Sequence, residues 1–270
     1  MCLPNALAFA QGASTVKPLP VDNDLKIPRY NIGLTIQSQG STRGVLAERM
    51  VQTQLNGDLW QVNWLSVTTA TAANASSKYP VAEVKTKKGI LEGPMVGNKT
   101  NYFHALLWPE GYTVLGDALP LWVDASYLDV KKNQSEFFSL GFLKVDTLAQ
   151  QSLDAGQYQE LLYFRNLYEG YAAQAAKGKS IEWLKTFDKN FFSLTFLRAS
   201  KTVVKINGIS RQVNCKVLGN RYFAMTVLDQ YDNPLVLALE FFPDQVPQVF
   251  ARSFAFLQKN FEFHVTQIQF

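Results

Sequence analysis

The sequence predicts a mainly β fold (β-rich α+β), a curved antiparallel sheet or half-barrel with one or two packed helices. Three observations predict it. Aromatic residues make up 13% of the chain, with 19 Phe and 11 Tyr, and such side chains suit the pleated, half-buried surface of a strand. Apolar and polar residues alternate in many short runs, which is the period of a strand with one face in a core. Turn dipeptides, among them Asn56-Gly57, Asn207-Gly208 and Gly219-Asn220, punctuate those runs, as they do between hairpin strands.

Taken in chain order, the elements begin after a distinct N-terminus. Residues 1–10 carry no charge and end in Ala8-Phe9-Ala10, the small-x-small pattern that signal peptidase reads. They are interpreted as the remnant of a signal peptide, and the chain is expected in the periplasm of a bacterium or secreted from it. Residues 11–28 hold Pro18, Pro20 and Pro28 and read as an extended leader. Residues 29–270 follow as one β-rich domain, or as two lobes, 29–148 and 149–270.

Within that domain Ile32, Leu34 and Ile36 share one face of a strand. Val45–Val51 fits either a strand or a short helix. Asn56-Gly57 marks a hairpin, after which Trp60, Val62 and Trp64 line one strand face. Short strands are expected at Val81–Val84, Ile90–Met95 and Leu119–Asp124. Tyr158, Leu161, Leu162, Arg165 and Tyr168 fall at helical spacing, with Gly178 as the stop signal. Strands resume over Phe191–Leu197, Thr202–Ile206, Val213–Leu218, Tyr222–Leu228 and Leu235–Phe242. A short helix with Phe250, Phe254 and Leu257 on one side follows Pro247, and a last strand covers Phe261–Thr266.

Composition limits the function. Hydrophobic residues at 47% and charged residues at 18% describe a globular chain able to bury a core without disulfides or metals. The formal charge is only +4 and the basic residues are spread, unlike a nucleic-acid binder. The densest group, Lys85, Lys87 and Lys88, reads either as a contact for phosphate or anionic lipid headgroups or as a lysine-guarded strand edge. No run approaches the ~20 apolar residues of a membrane-spanning helix, and the strands lack the sustained alternation of a lipid-facing barrel. Without Cys2 only Cys215 remains, placed among apolar residues as a small hydrophobe.

There is no nucleophile elbow, phosphate loop, dinucleotide fingerprint or zinc-protease motif, so no cofactor and no metal site is expected. His104 and His264 are far apart in sequence. Asp117, Asp124 and Asp129 form a carboxylate cluster. Paired carboxylates divide acid and base roles in glycoside hydrolysis, and the same residues serve equally as turn and cap residues. Trp60, Trp64, Trp108 and Trp122 are the candidate ligand-binding aromatics.

The final third carries a resemblance. Val203-Val204-Lys205-Ile206-Asn207-Gly208, then Cys215-Lys216-Val217, Phe223–Asp229 and Asn233-Pro234-Leu235-Val236-Leu237, with Tyr163-Phe164-Arg165 upstream, resemble an uncharacterised family of secreted bacterial proteins. That family is similar in fold to the lipoprotein carriers LolA and LolB, whose curved sheet wraps a hydrophobic groove. The resemblance supplies no catalytic residues. The predicted curved sheet, the aromatic surplus and the lack of a catalytic motif point to a non-enzymatic cell-envelope protein that binds a lipid or other apolar ligand, or an envelope protein partner. The alternatives are a periplasmic glycan or cell-wall hydrolase using the Asp cluster, and a structural or assembly component of the envelope.

Overall fold

The period-two runs of the sequence are strands. The structure, a computed structural model, describes residues 19, 25–38, 46–71, 82–94, 103, 108–116, 121–141 and 147–270. The signal-peptide reading, most of the leader, Asp117 and His104 lie outside the described residues. In chain order the strands are β1 (Gly33–Ser38), β2 (Leu46–Asn56), β3 (Leu59–Thr71), β4 (Ala82–Pro94), β5 (Gly111–Val114) and β6 (Ser135–Phe137). Helices α1 (Thr147–Ser152), α2 (Ala155–Ala176) and α3 (Glu182–Phe191) follow. Then come β7 (Ser193–Ile206), β8 (Ile209–Gly219), β9 (Phe223–Leu228), β10 (Val236–Phe241), α4 (Ala251–Phe261) and β11 (Phe263–Gln269).

The strands form one mainly antiparallel sheet in the order β5-β4-β3-β2-β1-β11-β10-β9-β8-β7-β6. The beginning and end of the chain meet at its centre, where β1 pairs with β11. The second edge of β11 is shared. Phe263 and His264 pair with β10, while Gln267 and Ile268 pair in parallel with Lys205 and Ile206 of β7. Strands β7 to β11 therefore close into a ring, and β1 to β5 continue from it as a curved extension. The backbone N–H of Asn207 donates to the carbonyl of Ile268, and the Asn207 side chain accepts from the N–H of Phe270, which clasps the closure.

Turn chemistry sets the registers. Asn207 (φ 48°) and Gly208 (φ 82°) both take positive φ between the paired Ile206 and Ile209, as a tight two-residue hairpin requires. The first hairpin differs from expectation by one residue. Asn56 pairs with Leu59 as strand, and Gly57 (φ 61°) with Asp58 forms the turn, the arrangement in which glycine comes first. The described residues of two expected short strands, Val81–Val84 and Ile90–Met95, belong to one continuous strand, β4. Its ladder with β3 runs unbroken through Lys85–Gly89 and outweighs the weak strand preference of three lysines. The segment expected as strand or helix over Val45–Val51 is strand from Leu46, its first described residue. The strand expected over Leu119–Asp124 reduces, among the described residues, to one bridge between Trp122 and Leu235, because Asp124 caps a 3₁₀ turn over Ala125–Asp129.

The helices form a second layer. Asp154 and Gln157 make a reciprocal capping box that starts α2, and Gly178 at φ 83° follows its end. Helix α3 was not expected, and the strand predicted from Phe191 starts at Ser193 instead. Leu184, Phe187 and Phe191, at spacings of three and four, face the core together, so a helical period lies inside a run whose Phe content also suits a strand. Phe164, Phe187, Phe191, Phe250 and Phe254 interlock between α2, α3 and α4.

The leader end, Leu25–Pro28, is bound by the β9–β10 turn. Gln230 accepts from the N–H of Ile27 and donates to the carbonyl of Leu25. Asn233, fully buried, accepts from Trp122 Nε1 at 2.8 Å and donates to the carbonyls of Ile27 and Pro28. Replacing Asn233 by alanine strands these groups, and each unsatisfied buried group costs about 1–3 kcal/mol. Asn233→Ala is therefore expected to lower the unfolding free energy by about 3 kcal/mol in urea titration. Asn233→Asp, which keeps the acceptor for Trp122 and loses both donors, tests which half matters.

Candidate functional site

The inner face of β1 to β4 changes character along its length. Successive cross-strand rows read Leu34–Val51–Trp64–Gly89, then Ile36–Arg49–Ser66–Lys87, then Ser38–Ala47–Thr68–Lys85. The first row continues a dry core that includes Val62 and Leu91, both fully buried. The next two rows carry hydroxyls and cations on the same face. Alternation places every one of these side chains inward, so the sheet delivers a polar, basic end to an otherwise apolar surface.

That end is a pocket of about 460 Å³. Its floor is the two polar rows with Trp64 and Trp108. Its far wall is the start of α2, with Leu153, Asp154 and Gln157, and the end of α4, with Lys259, Asn260 and Phe261. Gln157 Nε2 donates to Asn260 Oδ1 at 3.0 Å and ties the two helices together at the wall. A more open groove of about 1040 Å³ is lined by Met50, Leu65, Ile90 and Tyr112 of the opposite face, and shares Trp64 and Lys87 with the inner pocket. Glu92 on that face accepts from Tyr112 and Gln61, so polar residues share it.

Arg49 is the central group of the inner pocket. Its guanidinium lies 4.4 Å from the Trp108 ring centre and 5.7 Å from that of Trp64, close enough for cation–π attraction. The two indoles meet edge to face at 5.9 Å. Arg49 Nε is buried and has no hydrogen-bond partner among the described residues. Burial pushes its pKa down from the usual arginine value to about 9, so it remains a cation at neutral pH. Trp64 can lie flat against β4 only because residue 89 is glycine: a Cβ there would meet Trp64 Nε1 and the carbonyls of Pro109 and Gly111. The same device repeats two inward rows away, with Trp60 over Gly93.

The four candidate tryptophans thus divide. Trp64 and Trp108 line the pocket. Trp60 and Trp122 are fully buried in the core. Arg29 stacks on Trp122 at 5.2 Å. Of the carboxylates, Asp124 accepts from the N–H and hydroxyl of Ser126 and adds to the field on Arg29, while Asp129 is exposed and hydrogen-bonds Tyr231. Among the described residues no group of three or more His, Cys, Asp or Glu side chains is arranged to hold a metal. Cys215 is buried and free, and burial pushes its thiol up to about 11.

Sequence reasoning singled out Lys85 and Lys87 and missed Arg49, Ser66, Thr68 and Lys259. The signal for Arg49 was a charged residue in the inward series Ala47, Arg49, Val51, Thr53, readable only once that segment is known to be a strand. Lys259 carries no local signal, since α4 reaches the pocket through tertiary packing alone. No protein-family model, curated protein or solved structure matches the chain.

Proposed function

We propose that this chain is a non-enzymatic protein of the bacterial cell envelope that binds an apolar or amphiphilic ligand in the pocket beneath Trp64 and Trp108. The observation that carries the reading is that pocket: a concave site of about 460 Å³, within the size range of small-molecule sites, with two indoles in its floor and polar and basic groups converging on them. The signal-like Ala8-Phe9-Ala10 supports an exported location, and the resemblance to the fold of lipoprotein carriers supports the ligand class. The placement of the aspartates favours the binding reading over hydrolysis, because Asp124 is engaged as a cap and Asp129 lies on the exposed side of the 3₁₀ turn.

Native mass spectrometry of the protein purified from the periplasm of its own cells, followed by lipid extraction, tests the reading. The expected result is a stoichiometric adduct that is released on denaturation and extracted into organic solvent. An unadducted mass, with no displacement of a fluorescent fatty-acid analogue added to the protein, would overturn it.

A further inference from the structure

Cations outnumber carboxylates among the residues that line the pocket. Arg49, Lys85, Lys87 and Lys259 line it. The carboxylate on its wall, Asp154, is spent on the cap of α2, accepting from Gln157 N–H at 2.8 Å. Lys87 has a surface partner in Glu110 at 2.9 Å, and both side chains are about half exposed, where such a pair is weak and exchangeable. Arg49 is different: its indole neighbours lie 4.4 and 5.7 Å away and offer no hydrogen-bond acceptor. Guanidinium N–H groups are the ones that recognise oxyanions. A half-buried cation whose Nε is buried with no partner among the described residues is a costly arrangement that an anion in the pocket would relieve. Ser38, Ser66 and Thr68 add hydroxyl donors around the same space.

We infer that the pocket recognises an oxyanion, the phosphate or carboxylate head of an amphiphile, with Arg49 as the primary contact and Lys85, Lys87 and Lys259 as the surrounding field. This rests on the ligand-binding reading and specifies which end of the ligand enters. The head meets Arg49 and the hydroxyls, and the apolar portion lies against Trp64, Trp108, Leu153 and Phe261. These four cations converge on one concavity, so the site fits a single compact head better than a polyanion.

Four probes added to the full chain below their micellar concentrations test this: dodecyl phosphate, dodecanoate, dodecanol and inorganic phosphate. Binding is followed by tryptophan fluorescence and calorimetry. Dodecyl phosphate and dodecanoate are expected to bind about tenfold or more tightly than dodecanol, the margin of one charge-assisted contact. Arg49→Met, which keeps an apolar side chain between the indoles, is expected to abolish that margin by weakening dodecyl phosphate and dodecanoate far more than dodecanol. Lys259→Gln and Lys85→Gln stand at exposed positions and are each expected to reduce the margin severalfold, so the test survives if Arg49→Met fails to fold. Equal binding of dodecanol and dodecyl phosphate would overturn the oxyanion inference and leave the apolar-ligand reading standing. Inorganic phosphate binding as tightly as dodecyl phosphate, with loss in Arg49→Met, would keep the oxyanion site and overturn the apolar-ligand reading. A margin that persists in all three variants would place the anion elsewhere, and no binding by any probe would overturn both.

Discussion

Phe254→Ala is expected to lower the unfolding free energy by about 3–5 kcal/mol, the range for removing a large aromatic side chain from a packed core. Phe254 is fully buried on α4. Its ring stands edge-on to Phe191 at 5.8 Å, Phe164 at 5.9 Å and Phe187 at 6.2 Å, and it meets Tyr222 and Phe241 on the sheet side at 6.1 and 6.3 Å. It therefore joins three helices to β10 and the turn before β9. Deleting it leaves rings that cannot collapse into the space without losing their own edge-to-face geometry, worth about 0.5–1.5 kcal/mol per pair. Denaturant titration with two probes, helix signal and aromatic near-ultraviolet signal, checks the prediction. Phe254→Leu, which refills most of the volume, is expected to lose less. A loss for Phe254→Ala below about 1 kcal/mol, the size of a surface change, would mean that the helical layer is not docked on the ring as described.

Much of this architecture is legible in the residues because local and tertiary preferences agree. Asn207-Gly208 sits between alternating runs and is a hairpin turn. Tyr158 to Ala176 repeats at helical spacing, is opened by a capping box at Asp154 and Gln157, and is a helix. Legibility fails where two periods compete or where the deciding partner is distant. Trp183-Leu184-Lys185-Thr186-Phe187 carries no cap hydrogen bond from its first residue, Ile181, so nothing local separates helix from strand there. Lys85 to Gly89 looks like a break between strands, and becomes strand because β3 offers partners along its whole length. The candidate site shows the same division. The lysine pair at 85 and 87 was visible in the sequence and lies on one face by strand period. The residue at its centre, Arg49, was hidden by the ambiguity of its segment between helix and strand. Trp60 and Trp122, plausible ligand contacts by residue type, are core residues, because a tryptophan's burial is decided by which row of the sheet it occupies.

Gly89→Ala is expected to cost about 1–3 kcal/mol, as overpacking does, and to reshape the candidate pocket at the same time. A methyl group at this position meets Trp64 Nε1 within 2.7 Å and the Gly111 carbonyl within 3.0 Å, as well as the carbonyl of Pro109. Two of those atoms are backbone of the segment that delivers β5, which pairs in parallel with β4 at Gly89↔Gly111. Relief must therefore come from moving β5 outward or swinging Trp64 off the sheet, and either motion breaks the contact between Trp64 and Trp108 that holds Arg49. The measurement is thermal and denaturant unfolding together with the tryptophan emission spectrum. The expected result is lower stability and a red-shifted emission, as an indole leaves its buried place on the strand. Gly170→Ala is the matched control. It lies inside α2 with open space around the position a Cβ would take, and glycine in a helix interior is less stable than alanine by about 0.5–1 kcal/mol, so this substitution is expected to stabilise. Opposite signs for the two glycines would establish that position 89 is glycine because an indole must lie on it. A neutral Gly89→Ala with unchanged emission would mean that Trp64 is not held against β4, and the pocket would lose its floor.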